Sequence, residues 1–371
     1  MAHYKKRPKV KRYRRSFYSR EMRIKKGVGI AVLVIAVLAA AWVAAPHVID
    51  WATHTWYTVV RNRDLEAESA SASAAASSEA AASSAAAASS RSEEPVVTEP
   101  EPTPGTAIVE GSWAEVDVSS LTDDAAIQAA AQQLAAQGVT YAKVTLKDGD
   151  GTIWYPSQLA PAANSIGGTT VDPARIAAIF KENGLVPVAS LAAFKDPVVP
   201  RTVRSMAIGY TGQEYLWLDN KASAGGNPWL NPYSAEVVQF IGDLIDEVHG
   251  MGFDQIVLTN VQFPSAKNGK QDFGQTNGVD RAGQLAADIA AWQARFEGSV
   301  TLWYSYSLGQ VTDTATTLGA PAAQLGMKNL LVTVPAKSSL DETGRAELTQ
   351  TLTDAGVEHS VIEDSAANYF G

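Results

Sequence analysis

Cysteine is absent from the chain. Its absence excludes a disulfide framework, thiolate zinc sites and a cysteine nucleophile. It leaves the compartment open, because a domain of this size buries enough apolar surface to fold without covalent staples. Histidine is scarce: His3, His47, His54, His249 and His359 are scattered, and none forms an HExxH-type pair, so no metal site is expected. No GxGxxG opens a helix after a strand, which removes the dinucleotide signature and leaves no cofactor to expect. No GxSxG supports a serine nucleophile.

Charge is present but unevenly spread. Residues 1–26 hold twelve Lys/Arg and one acid, Glu21, whereas the other 345 residues carry 18 bases against 38 acids. The net charge of −9 therefore describes neither part. A basic arm attracts anionic lipid headgroups or nucleic acid. The acidic body argues against nucleic acid as a partner.

Residues Gly27 to Ala45, GVGIAVLVIAVLAAAWVAA, contain no charge. As a helix they span roughly 28 Å, close to the thickness of a bilayer's hydrocarbon core. Lys25 and Lys26 precede them, and Trp42, Trp51, Trp56 and Tyr57 sit at and beyond the far end, where aromatic rings favour the interface. The sequence thus predicts a single-pass anchor in the cell membrane, N-terminus cytoplasmic, C-terminal domain extracytoplasmic. The rival reading is a signal peptide cut near Ala45. Residues 46–64 read as a juxtamembrane segment. Residues 65–107 read as a disordered linker, being almost wholly Ala, Ser and Glu up to Ser92 and then PVVTEPEPTP over Pro95–Pro104. Some 40 such residues reach roughly 35 Å.

From residue 108 to 371 the composition is globular. Strands are expected at Trp113–Val118, Thr140–Lys147, Leu185–Leu191, Gln255–Val261, Ser299–Ser305, Asn329–Val334 and Val357–Ile362. Helices are expected at Asp123–Gln137, Pro173–Asn183, Ala235–Gly250, Val279–Phe296 and Asp341–Ala355, several closed by glycine (Gly138, Gly184, Gly252, Gly356). Such alternation means a parallel sheet, either open or closed as a (β/α)8 TIM-type barrel, and the length favours the barrel. The segment after Thr301 is short for three full units. Either one strand or helix is missing or Glu214–Leu218 supplies an extra strand.

Four stretches read as loops that follow strands, which in a barrel form the ligand face: KDGDGTIWYPS (147–157), FKDP (194–197), WLDNKASAGGNPWLNPYSAEV (217–237) and GFDQIVLTNVQFPS (252–265). In order and spacing they resemble the bacterial glycoside-hydrolase family of TIM-barrel envelope proteins, over roughly Glu110 to Gly371. That family's fourth stretch runs like GFDEIQFDYVRFP. Here Thr259 stands at its Asp, Asn260 at its Tyr and Gln262 at its Arg. Thr145 stands at a family Asp and Ser190 at a family Arg. Glycoside hydrolysis uses two carboxyl groups roughly 5–10 Å apart, and Thr or Gln supplies neither.

The resemblance with these departures implies a pseudoenzyme: an anchored, glycoside-hydrolase-like domain that binds cell-envelope or environmental carbohydrate with little or no hydrolysis. An active glycosidase using displaced carboxylates is the first alternative. Its candidates are Asp148, Asp150, Asp219 and Glu363, and carboxyl oxygens converging within ~10 Å in an open cleft would restore that reading. A non-catalytic envelope scaffold for protein partners is the second. Expected sugar contacts are Trp154, Lys195, Asp196, Trp217, Asp219, Asn220, Asn231, Thr259, Gln262 and Tyr304, because aromatic rings stack on sugar faces and amides, acids and hydroxyls bind sugar hydroxyls. Bland readings stand beside these. Asp148 and Asp150 suit a tight Asp-Gly turn, each Trp suits core burial, and Asn231 or Ser234 suits the cap of the following helix. Asp254, at a strand's N-terminal end, reads as structural. On Thr301–Tyr306, alternation sends Trp303 and Ser305 to one face and Tyr304 and Tyr306 to the other.

Overall fold

A computed structural model of the chain describes residues 103, 105–265, 269–364 and 368–370. The basic arm, the 27–45 span, the juxtamembrane segment and most of the linker lie outside the described residues. Among the described residues, no helix is long and apolar enough to cross a membrane.

The main sheet contains β1 (Ser112–Val116), β2 (Val139–Lys147), β3 (Val186–Ala192), β5 (Gln255–Thr259), β7 (Thr301–Ser307), β8 (Asn329–Thr333), β9 (His359–Glu363) and β10 (Asn368–Phe370), hydrogen-bonded in that order. The first seven are parallel and β10 runs antiparallel to β9. A separate ribbon pairs β4 (Gly209–Tyr210) with β6 (Gln271–Asp272). The five long helices are α1 (Asp124–Ala136), α2 (Pro173–Glu182), α3 (Ala235–Gly250), α4 (Arg281–Arg295) and α5 (Glu342–Asp354). All seven expected strands and five expected helices are therefore present, with ends shifted by a residue or two.

The last units are irregular, as the short segment after Thr301 predicts, and the sheet is not a full set of eight parallel strands. Between β7 and β8 the crossover is made by the short helix Leu308–Thr312 and a turn of 3-10 helix at Ala322–Gln324 instead of a full helix. The eighth position is held by antiparallel β10, not by a parallel strand. Residues Glu214–Leu218 add no strand to the sheet; Leu216 makes only an isolated bridge to Gly209. The result is a curled, TIM-like α/β sheet of seven parallel strands.

The helices begin where the sequence places aspartates. The side chains of Asp123, Asp172, Asp280 and Asp341 accept from backbone N–H groups in the first turns of α1, α2, α4 and α5. Each such cap is worth about 1 kcal/mol. For α3 the expected side-chain cap is absent: Ser234 sits at the cap position without a side-chain bond, and Asn231 instead accepts from Tyr233 N inside the preceding turn.

Alternation along the parallel strands creates two apolar layers. The outer one, with Tyr304 and Tyr306, packs against the helices. The inner one takes a single residue from each parallel strand: Trp113, Tyr141, Val188, Val257, Trp303, Leu331 and Val361. Trp113 stacks on Tyr141 at 4.5 Å and meets Trp303 edge-on at 5.3 Å. Beneath this layer, residues 105–109 close the N-terminal end. The Gln255 amide donates toward the carbonyls of Gly105, Thr106 and Ala107, and Tyr141 OH bonds both N and O of Val109 at 2.8 Å. Residues 105–107, read from composition as the end of the linker, are hydrogen-bonded to Gln255 of β5.

Candidate functional site

One step further along each strand, on the same inner face, the side chains turn polar. Above Trp113 lies Glu115; above Tyr141 lie Lys143 and Thr145; Ser190, Thr259, Ser305, Thr333 and Glu363 follow on β3, β5, β7, β8 and β9. These residues sit at the C-terminal ends of the strands, where parallel α/β folds place their ligand sites. The layer below is sealed, but here the Glu115 side chain is 58% exposed, Glu363 19% and Lys143 11%. This polar layer, exposed at Glu115 and buried at Lys143 and Ser190, lies above the aromatic and aliphatic one and forms a shallow crater at the C-terminal ends of the strands.

Charge in the crater is concentrated at one point. Lys143 Nζ lies 2.9 Å from Glu363 Oε1 and 3.8 Å from Glu115 Oε2. Thr145 Oγ1 donates to Glu115 Oε1 at 3.0 Å. Since both glutamates contact the same ammonium, their nearest carboxyl oxygens are well inside the ~10 Å span of a glycosidase acid pair. Thr145, Ser190 and Thr259 lie on the inner face, and the expected hollow with hydroxyls and amides in place of ions also holds the charges of Glu115, Lys143 and Glu363. Glu115 and Lys143 escaped the sequence reading. Their signal was there: each interrupts an apolar strand, two residues after an inward aromatic.

The expected contact residues divide sharply. Glu363 and Thr259 are in the crater. Lys195 lies at its rim, where Gly149 is so close that an added Cβ would stand 3.2 Å from Asn260 Oδ1 and 3.3 Å from Lys195 Cδ. Asn260 itself holds φ 54° there, a left-handed conformation that Asn tolerates better than most residues. Asp148 builds its own loop, accepting from Asp150 N, Thr152 N and Trp154 Nε1 at 2.9, 2.9 and 3.2 Å. The tight-turn reading of Asp148 is therefore the structural one, and it fixes the half-buried Trp154 as well. The Gln262 amide oxygen accepts from Gln310 at 2.6 Å, and Gln310 in turn accepts from Ser307 Oγ at 2.9 Å.

Several expected sugar contacts are placed elsewhere. Tyr304 is fully buried on the helix side of β7, because Trp303 and Ser305 take the inner face. Asp196 is fully buried and paired with the fully buried Lys147, Nζ to Oδ2 2.9 Å, and also accepts from Val198 N and Val199 N. Trp217 is fully buried with Ile208 and Trp229, its Nε1 donating to Gly269 O at 2.6 Å. Asp219 accepts from Asn227 N and Trp229 Nε1 at 2.8 and 3.0 Å. Asn220 bonds Lys221 N and Ala224 O within its own turn. Asn231 is buried and bonds Tyr233 N and Phe273 O. Spacing drew attention to these residues because the loop needs them to fold. Asp254, read as structural, pairs with Lys181 at 3.1 Å and His249 at 3.3 Å.

The family described as "Putative glycosyl hydrolase domain" matches residues 116–300. The domain is thus glycoside-hydrolase-like in fold. No curated protein matches the chain. Among solved structures, a hypothetical protein from Ruminiclostridium thermocellum overlaps 51% of this chain and 95% of its own, at 20% identity and TM-score 0.45. An exo β-N-acetylglucosaminidase from Vibrio harveyi overlaps 68% and 40%, at 8% identity and TM-score 0.46. The Bacillus cereus spore cortex-lytic enzyme SleL overlaps 68% and 50%, at 10% identity and TM-score 0.40. The chain spans half or less of the length of these two enzymes.

Proposed function

We propose that the crater binds a saccharide and that the chain is an anchored, extracytoplasmic carbohydrate-binding domain with little or no hydrolytic activity. The observation that carries this reading is the row of Thr145, Ser190, Thr259, Ser305 and Thr333 on β2, β3, β5, β7 and β8, between the strands that bring Glu115, Lys143 and Glu363 together. Hydroxyls and charged groups on an open, rigid rim match the dense donors and acceptors of a sugar. Hydrolysis further asks one carboxyl to deliver a proton to the leaving oxygen. Here both carboxyl groups face the same ammonium, that of Lys143, at 2.9 and 3.8 Å. The basic arm and the apolar 27–45 segment support placing the domain outside the membrane, with anionic lipid as the arm's partner.

A second reading follows from the same cluster. Glu115 and Glu363 are close enough to serve as acid and nucleophile or base, which favours an active glycosidase working through displaced carboxylates. One experiment separates the two. The purified full-length protein is tested on a glycan array and on a panel of polysaccharides for release of reducing ends. Binding without turnover is the expected result. Turnover at an ordinary enzymatic rate, about 1 s⁻¹ or faster, that is lost in both Glu115→Gln and Glu363→Gln would establish the second reading and overturn the first. Absence of binding to any glycan would overturn the carbohydrate reading altogether. Protease accessibility in intact cells tests the topology.

A further inference from the structure

The loops that follow β3 and β5 leave the sheet side by side. Ala193 N donates to Thr259 O at 2.8 Å and Phe194 N to Asn260 O at 3.2 Å. These are the strands that carry Ser190 and Thr259 in the crater. Further out the same two loops rejoin as the ribbon β4–β6. The ribbon is therefore carried by the two loops that leave the crater strands β3 and β5.

On this ribbon the chain reverses between Tyr210 and Tyr215. Tyr210 N donates to Tyr215 O at 3.0 Å, Gln213 N donates to Tyr210 O at 3.0 Å, and Gly212 takes φ 73° to make the reversal. Arg204 binds Glu214 O from outside. The two tyrosine rings lie 5.0 Å apart at 36°. Tyr215 is 53% exposed, one of few large hydrophobic side chains so open among the described residues. The tyrosines flank a cleft of about 490 Å³ that also takes in Leu216, Trp217 and Lys221. Trp217, buried with Ile208 and Trp229, supports the cleft from beneath.

We propose that this ribbon is an aromatic shelf for a further sugar ring, so that the protein takes an oligosaccharide with one end in the crater and a later unit stacked on Tyr210 and Tyr215. The inference rests on the carbohydrate reading of the crater. Its chemistry is independent of the crater's charges. A pyranose presents a C–H face that packs on an aromatic ring while its hydroxyls stay in water or reach a polar rim. Lys221 is exposed at the edge of the cleft and supplies such a donor. Two aromatic rings held on a hydrogen-bonded turn lose little freedom when a ligand settles on them. The cleft falls in the size range of small-ligand sites. The shelf lies on the two loops that continue from the crater strands β3 and β5, paired at their base by Ala193 N to Thr259 O and Phe194 N to Asn260 O, and this link selects an oligosaccharide over an unrelated partner.

The test is titration calorimetry of the full-length protein with β-1,4-linked glucose and N-acetylglucosamine oligomers, from monosaccharide to hexasaccharide. In the wild type affinity rises with chain length. Tyr215→Ala, at an exposed position that leaves the fold intact, lowers oligosaccharide affinity about 2- to 10-fold. It leaves monosaccharide binding unchanged, and Tyr215→Phe retains the wild-type values. An identical length dependence in Tyr215→Ala overturns the shelf while leaving the crater reading in place. Failure of all these oligomers to bind the wild type, whether or not other glycans bind, also overturns the shelf. Failure of every glycan in the wider panel overturns the crater reading as well.

Discussion

Lys143 Nζ stands 2.9 Å from Glu363 Oε1, joining β2 to β9 across the interior of the curled sheet. The two residues are 220 positions apart in the chain. No local preference brings them together; the curvature of the sheet does. Replacing Lys143 with Met keeps the bulk and removes the cation, leaving Glu115 and Glu363 facing each other. We expect Lys143→Met to lose about 1–3 kcal/mol of stability in urea unfolding and to lose glycan binding. Unaltered binding would remove the cluster from the site.

Asp196 is expected to hold the fold together and to leave the sugar alone. It is fully buried beside Lys147, whose Nζ also donates to Ala192 O at 2.9 Å. Breaking one partner of a buried pair strands the other charge. Asp196→Ala should therefore cost about 3–5 kcal/mol by denaturant unfolding. A loss below 1 kcal/mol would show that the pair is not buried as described.

Tyr304 offers a sharper discrimination between sequence and structure. Its hydroxyl is buried toward α4, 3.5 Å from Ile289 O, too long for a strong hydrogen bond. Burial pushes its ionisation well above the ordinary tyrosine value. Tyr304→Phe should change stability by no more than about 1 kcal/mol and leave glycan affinity untouched. A drop in affinity with unaltered stability would return Tyr304 to the site.

Asp288 on α4 is predicted to make stability depend on pH. Burial raises its carboxyl to about 7 from the ordinary 3.8, the hydrogen bond from Gln284 only partly opposing it. The folded protein thus keeps a proton on Asp288 across a range where the unfolded chain has lost it. Folding takes up a proton between about pH 4 and pH 7, so this group's contribution to stability falls as pH rises through that window and is flat above it. The slope is on the order of 1 kcal/mol per pH unit at most. Comparing melting temperatures of wild type and Asp288→Asn from pH 4 to 8 checks this. The wild type should lose ground to the variant as pH rises, and parallel curves would refute it.

The sequence by itself determined the elements. Alternating runs such as VTYAKVTLK gave β2, aspartates one residue before apolar helices gave the caps of α1, α2, α4 and α5, and glycines after helices closed them. These features act over a few residues, so local chemistry decides them. It also marked Thr145, Ser190 and Thr259 as neutral positions in the crater, through the resemblance alone. Only the tertiary structure decided which side of β7 faces inward, burying Tyr304 and exposing Ser305. It turned Asp196, Trp217 and Asn231 from apparent ligand contacts into internal ties, since a loop rich in polar and aromatic groups must first satisfy its own backbone. It also assembled Glu115, Lys143 and Glu363, which lie on the first, second and last parallel strands. Curvature, accumulated strand by strand from packing against the helices, is what makes those three neighbours.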